Sequence, residues 1–215
     1  DLLVRIRRTS SAPSAGAVGR ELRGEVEGVM TLERDEVRRL AQELLAKHPM
    51  YLDTETTGLK DRDEVIEICV LDSNGRVSVE SLVKPTVPIS LDAGRVHGIT
   101  QEMLQDAPSW PEIWPDVHQV LEGREIAIYN VEYDLRLIRQ SHRAHGMPWT
   151  LEQTNFHCLM LLYARFYGRW NHRRGGFQWQ SLELAAQQSG ISLFNTHRAK
   201  DDAALARAIL LHMAT

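Results

Sequence analysis

The sequence predicts an α/β domain in which helices cover a mixed sheet. Strand-like runs crowd the stretch between residues 50 and 83, and helical and strand-like periods then alternate to the end of the chain. Length sets the scale, since 215 residues hold one domain of about 150 to 200 residues plus an appendage.

The chain opens with DLLVRIRR (1–8) and TSSAPSAGAVG (9–19), the latter a Ser/Ala/Pro/Gly stretch with the composition of a linker. From Thr31 onward Val37, Leu40, Ala41, Leu44 and Leu45 recur at helical spacing, predicting an amphipathic helix that ends near His48 and Pro49 and packs on the domain after it. Residues 1–49 are therefore expected to be an N-terminal extension and residues 50–215 the domain. MYLDT starts the sheet, and EVIEICVLDSNGRVSVESLV has the form of a hairpin turned at Ser73-Asn74-Gly75. Short helices are expected around Ala93–His97 and Thr100–Gln105, and a longer one over Pro111–Leu121. EIAIYN (125–130) has the pattern of a buried strand followed by the helical LRLIRQSHRAHG. Further helices are expected at Leu159–Tyr167, Gln180–Ser189 and Ala199–Met213.

Composition excludes several classes. No apolar run approaches the ~20 residues of a membrane span, so no membrane partner is expected. Cys69 and Cys158 alone build neither a disulfide framework nor a four-cysteine zinc site, and a reducing, cytoplasmic setting is expected. The net charge of −4 conceals an uneven distribution. Residues 50–135 carry a net −11, whereas residues 136–174, with Arg136, Arg139, Arg143, Arg165, Arg169, Arg173 and Arg174 against Glu152, carry +6. An acidic region beside an arginine-rich one suits a protein that holds cations next to a polyanion.

Three short motifs carry chemistry. Asp53 and Glu55 lie two apart in a strand, so both side chains leave one face, as shared cation binding requires. Thr56-Thr57-Gly58-Leu59 then turns the chain and leaves the pair at the strand end, where α/β sheets bind ligands. Asp134 falls in the first turn of the helix after EIAIYN, with Asn130 as cap. In HRAKDDA (197–203), His197 and Asp202 are five apart, and both reach one site only if His197 precedes the helix. Asp201 competes with Asp202 as a ligand, although Asp202 lies on the apolar stripe with Leu205 and Ile209. None of the three patterns is specific alone.

Taken in order, LDTETTGL (52–59), IYNVEYD (128–134) and HRAKDDA (197–203) resemble the three motifs of the DEDD exonuclease superfamily, histidine variant (DEDDh). EVIEICVLD, VKPTVPIS, VHGIT (96–100) and SLELAAQQSGI agree, so the resemblance spans residues 50–213, and VHGIT points to the branch of DnaQ-like, epsilon-type proofreading exonucleases. The resemblance implies a ribonuclease-H-like fold with a five-stranded mixed sheet, the first three strands antiparallel. It implies that Asp53, Glu55, Asp134 and Asp202 bind two divalent ions, Mg2+ or Mn2+, with His197 as general base. It also implies that Thr54, Thr56, Leu59 and His97, with Asp92 as a weaker candidate, contact the terminal nucleotide. The chain departs from the pattern at His157-Cys158, where the family commonly has Asp-Thr or Cys-Thr, and in its first 49 residues.

Oxygen-only ligands favour magnesium or manganese over zinc. Clustered carboxylates repel one another and raise one another's pKa values until a cation joins them. An imidazole, with an ordinary pKa near ~6.5, can take a proton from water close to neutrality. The first expectation is a 3′→5′ exonuclease that releases 5′-mononucleotides from single-stranded or frayed 3′ ends of DNA, in repair or proofreading, with a DNA polymerase or repair partner. The alternatives are an exoribonuclease of the RNase T or oligoribonuclease type and a non-catalytic polymerase-associated module. The arginines of 136–174 and the aromatic residues Phe166, Tyr167, Trp170, Phe177 and Trp179 are candidates to grip a single strand, with RFYGRWNHRRGGFQW (165–179) as the expected gripping loop.

Overall fold

The computed structural model describes residues 32–173, 175–192 and 196–215. The stretches 1–8 and 9–19, as well as Arg174, lie outside them. A five-stranded sheet has the order β3-β2-β1-β4-β5. Its strands are β1 (Met50–Thr56), β2 (Val65–Leu71), β3 (Val77–Leu82), β4 (Glu125–Ile128) and β5 (Asn155–Cys158). β1, β2 and β3 pair antiparallel, while β4 and β5 run parallel to β1. This is the expected mixed sheet.

The hairpin between β2 and β3 turns at Asp72–Gly75. Asp72 Oδ1 accepts from the amides of Asn74 and Arg76, and Gly75 takes φ 84°, a left-handed conformation that suits glycine. β1 alternates. Tyr51, Asp53 and Glu55 face one side of the sheet, and Met50, Leu52 and Thr54 the other. The first side is covered by α1 (described over 32–46), α5 (Leu159–Tyr167), α6 (Leu182–Gln188) and α7 (Ala199–Met213). Ala199, Ala203 and Ala206 let α7 approach β1 and β2 closely, and Leu205, Ile209, Leu210 and Met213 are fully buried there. The second side is covered by α3 (Trp110–Leu121) and α4 (Val131–Ala144), with Leu52, Ile126, Ile128, Trp114, Val117 and Ile138 among its buried residues. α2 (Leu91–His97) is short and ends on Gly98 at φ 69°.

The helix expected before Pro49 is present as α1, with Val37, Ala41 and Leu44 buried. It is tied to its neighbours by Arg165 to Glu33 and Glu36, by Arg34 stacked over Phe166, and by Arg38 and Gln42 donating to the carbonyls of Thr215 and Ala214.

Two expectations need correction. Thr100–Gln105 forms turns rather than a helix, because its buried residue Leu104 joins Ile99 and Ile66 in a small satellite cluster and leaves no apolar stripe to pack. The basic-aromatic run expected as a loop contains a two-stranded hairpin, β6 (Trp170–Asn171) with β7 (Gly176–Phe177), in which Trp170 meets Phe177 edge-on with ring centroids 5.2 Å apart.

Candidate active site

The site lies at the carboxyl ends of β1 and β4, where parallel strands of α/β sheets commonly expose ligand groups. β1 pairs with β4 only through Met50 and Tyr51, so the part of β1 carrying Asp53 and Glu55 extends beyond that ladder. The β1–β2 register shifts between Glu55 and Thr56, after which Thr56 pairs with Val65 and the Thr57 amide donates to the Glu64 carbonyl at 2.9 Å. The resulting cleft is lined by Asp53, Thr54, Glu55, Tyr129, Asn130, Tyr133, Asp134, Leu182, His197 and Asp202.

Each acid reaches it from a different element. Asp53 and Glu55 come from the α7 side of β1, and Asp202 from the first turn of α7. One carboxylate oxygen from each lies within 4.8 Å of the others. Asp134, buried in the first turn of α4, lines the cleft from the opposite side of the sheet, and Thr54 Oγ1 donates to its Oδ1 at 2.8 Å. Asp201, the competing acid, instead accepts from Thr196 Oγ1.

His197 precedes α7, whose cap is Arg198, and it has φ 51°. This meets the geometric demand that His197 lie outside the helix if it is to share a site with Asp202. Arg198 is held by Glu67, a residue 4% exposed at the β2 position facing Glu55. Glu67 accepts from Arg198 Nε at 3.0 Å and from Arg198 Nη2, and it takes the Ala199 amide at 2.9 Å. A buried acid thus fastens the start of α7, and with it the His197 backbone, to the sheet.

The electrostatics are those of a cation site. Burial, followed by the charges of Asp134, Asp202, Glu55 and Glu67, pushes the Asp53 carboxyl well above the usual range. Burial and then Asp202, Glu67 and Asp134 raise Glu55 to about 8. Burial raises Asp134 to about 7 against the opposing Thr54 hydrogen bond, and raises Asp202 to about 6 against His197. Asp202 Oδ1 is buried without a hydrogen-bond partner. An orphaned acceptor beside clustered carboxylates fits hard divalent cations.

The other expected contacts are distributed differently. Thr54 and Thr56 are buried, and Thr56 Oγ1 bonds the Gly58 carbonyl and Tyr133 Oη, each at 2.9 Å. Leu59 is 74% exposed in the turn beside the site. That turn requires Gly58, since a Cβ there would stand 2.7 Å from Asp63 Oδ2, which is fixed by Thr57 and the Lys60 amide. His97 is buried behind the end of β1. Its Nδ1 accepts the Ile99 amide, which leaves Nε2 to donate to the Thr56 carbonyl at 3.2 Å. Asp92 is exposed on α2 beside Arg95, outside the cleft lining. Phe166 is buried in the core, whereas Trp170 and Trp179 are about half exposed.

Sequence reasoning missed Tyr133, Leu182, Glu67 and Arg198. Tyr133 carried a usable signal, because it immediately precedes Asp134 on a helix that starts at the site.

Comparison with known proteins points to exonucleases. The profile of the RNase_T family, described as "Exonuclease", matches residues 50–210. An uncharacterised exonuclease of Escherichia phage 186 is 36% identical over 187 residues, covering 84% of this chain and 95% of that protein. The DNA polymerase III subunit epsilon of Treponema pallidum is 30% identical over 159 residues, covering 70% and 69%. A PolC-type DNA polymerase III of Thermotoga maritima is 32% identical over 169 residues, but the match spans 11% of that polymerase. Among solved structures, exonuclease X in complex with 5′ overhanging duplex DNA superposes with a TM-score of 0.58 at 23% identity, covering 76% of this chain and 89% of that one. The nuclease domain of 3′hExo, a DEDDh family member bound to rAMP, superposes with a TM-score of 0.58 at 14% identity, covering 78% and 91%.

Proposed function

The chain belongs to the RNase_T exonuclease family, and from that premise we propose that it is a two-metal 3′→5′ exonuclease that removes 5′-mononucleotides from DNA ends, single-stranded or frayed. The observation that carries this reading is the convergence of Asp53, Glu55 and Asp202 within 4.8 Å in a cleft also lined by Asp134 and His197. Asp53, Glu55, Asp134 and Asp202 are the residues to hold two Mg2+ or Mn2+ ions. When bound, such cations neutralise phosphate charge and acidify the attacking water.

The remaining steps belong to the chain. His197, at the rim, accepts the proton that the attacking water loses. The Glu67–Arg198 clamp keeps that imidazole over the cleft. Thr54 orients Asp134 through its hydroxyl, and Thr56 and Tyr133 fix one wall. Leu59, exposed beside the turn, offers an apolar edge to the terminal base. Thr54, Thr56 and His97 shape the nucleotide subsite through the backbone at the end of β1, with His97 acting from behind. Asp92, exposed on α2 and outside the cleft lining, has the weakest claim.

The epsilon and PolC names of its relatives and the duplex DNA bound to exonuclease X favour DNA, and they favour a DNA polymerase or repair partner in replication or proofreading. The rAMP bound to 3′hExo supports a second reading, an exoribonuclease. Residues 1–49 are proposed as an extension to a nuclease domain over 50–215. Among the described residues no helix is long and apolar enough to cross a membrane.

The deciding assay is digestion of matched DNA and RNA strands labelled at either end, with Mg2+ or Mn2+ and with Asp53→Ala as control. Stepwise shortening from the 3′ end with release of 5′-mononucleotides is expected, faster on DNA. Shortening from the 5′ end, or undiminished activity in Asp53→Ala, would overturn the reading.

A further inference from the structure

A second cavity, of about 390 Å³, lies on the outer face of α4 between Arg136, Arg139, His142, Arg143, Met147 and Trp149. The three arginines follow i, i+3, i+7 spacing and so share one helix face over about 10 Å of rise. Among the described residues none of them pairs with a carboxylate, and no acidic residue lines the cavity. Arg139 is already placed, with its guanidinium over the Trp149 ring at 4.6 Å from the centroid. His142 is 2% exposed and contributes an Nε2 that is buried without a hydrogen-bond partner; Trp110 Nε1 donates to its Nδ1 at 3.2 Å, the pairing that makes Nε2 the N–H of the ring. Three guanidinium groups without a carboxylate partner, lining one cavity with a buried His142 whose Nε2 has no partner, have the chemistry to receive an anion. The arginine face reaches the turn beside the active site, because Arg136 Nη1 bonds the carbonyl of Leu59, in the turn that follows Glu55, at 3.4 Å.

We propose that this pocket binds backbone phosphates of the nucleic acid whose end occupies the carboxylate cleft, away from the scissile bond. The proposal rests on the exonuclease reading for the identity of the polyanion. Phosphates of the cut strand and of its complement offer the same chemistry, so the test carries an arm for each.

Wild type and the double variant Arg139→Ala, Arg143→Ala are titrated, in EDTA to prevent cleavage, with a labelled single strand and with the same strand in a duplex. Affinity is followed by fluorescence anisotropy across a salt series. The variant is expected to bind more weakly, with a log Kd against log salt slope smaller by about 0.7 per lost single-strand contact and about 0.9 per lost duplex contact. A change in both arms assigns the phosphates to the cut strand, and a change in the duplex arm alone assigns them to its complement. Unchanged affinity and slope in both arms would overturn the proposal. Arg143→Glu, at an exposed position of α4, repeats the test without disturbing the Arg139–Trp149 contact. Failure of the wild type to digest any strand with Mg2+ or Mn2+ would sink the exonuclease reading and leave the salt slopes to decide the pocket.

Discussion

Replacing Glu55 by Gln should stabilise the metal-free protein and weaken its response to metal. The Glu55 carboxyl is raised from its ordinary 4.5 to about 8 by burial and then by Asp202, Glu67 and Asp134. A group whose pKa is raised by folding adds stability below its unfolded value, and that stability is lost as pH rises through the folded value. Wild type without metal should therefore lose stability between about pH 4.5 and pH 8. A tenfold change in proton affinity between the folded and unfolded chain corresponds to about 1.4 kcal/mol. Because neighbouring acids share the repulsion, and Gln also loses the favourable charge of Arg198, about 1 to 3 kcal/mol of gain at pH 8 is the working figure. For a chain of this size that is a rise in Tm of roughly 2–10 °C. Mg2+ at about 100 times Kd should stabilise the wild type by about 2.7 kcal/mol, while the variant, lacking one of the four proposed ligands, should gain much less. Differential scanning fluorimetry of both proteins across pH, in EDTA and in MgCl2, should show the order of Tm inverting on addition of metal. An equal metal response, or a variant no more stable than wild type in EDTA at pH 8, would refute the reasoning.

Other perturbations separate chemistry from architecture. His197→Asn should lower kcat by about 10² to 10⁴ with metal-induced stabilisation intact, read by single-turnover kinetics and thermal shift; unchanged turnover removes His197 as the base. Glu67→Gln should cost about 1 to 3 kcal/mol in urea denaturation and lower kcat more than it raises KM, because the Arg198 anchor slackens while the substrate walls remain; a pure KM effect would contradict its positioning role. Leu44→Ala should cost about 2 kcal/mol or more in a single cooperative transition, because Leu44 is buried in the core shared by α1 and α7; a cost below about 0.5 kcal/mol would show that α1 contributes little to that core.

Much of the site is legible locally. The alternation of Asp53 and Glu55 with buried Leu52 and Thr54 defines a face, and the stripe through Asp202, Leu205 and Ile209 selects the inward acid over Asp201. Long-range pairings are not legible. Glu67 and Arg198 are 131 residues apart, and neither position carries a periodicity that announces a partner. Thr100–Gln105 carries too few apolar residues to show a helical stripe, and tertiary packing uses Ile99 and Leu104 as isolated plugs. His97 and Asp92 share a short helix yet part company, since one side chain is claimed by the Thr56 carbonyl and the other by solvent. Phe166 and Trp170 are four apart in one basic-aromatic run, and only the end of α5 divides core from surface.

The positive φ of His197 filters this position in two separate ways. Left-handed backbone costs most L-residues about 1 to 2 kcal/mol, and β-branched ones more, while Gly and Asn tolerate it. In a saturation library, Val and Ile here should be depleted from the pool of abundant protein before turnover is ever scored, whereas Gly and Asn should accumulate as well-expressed, inactive molecules. On the proposed role of His197, abundance and activity scores should therefore diverge at this codon, with the backbone merely permitting the imidazole that the reaction would demand.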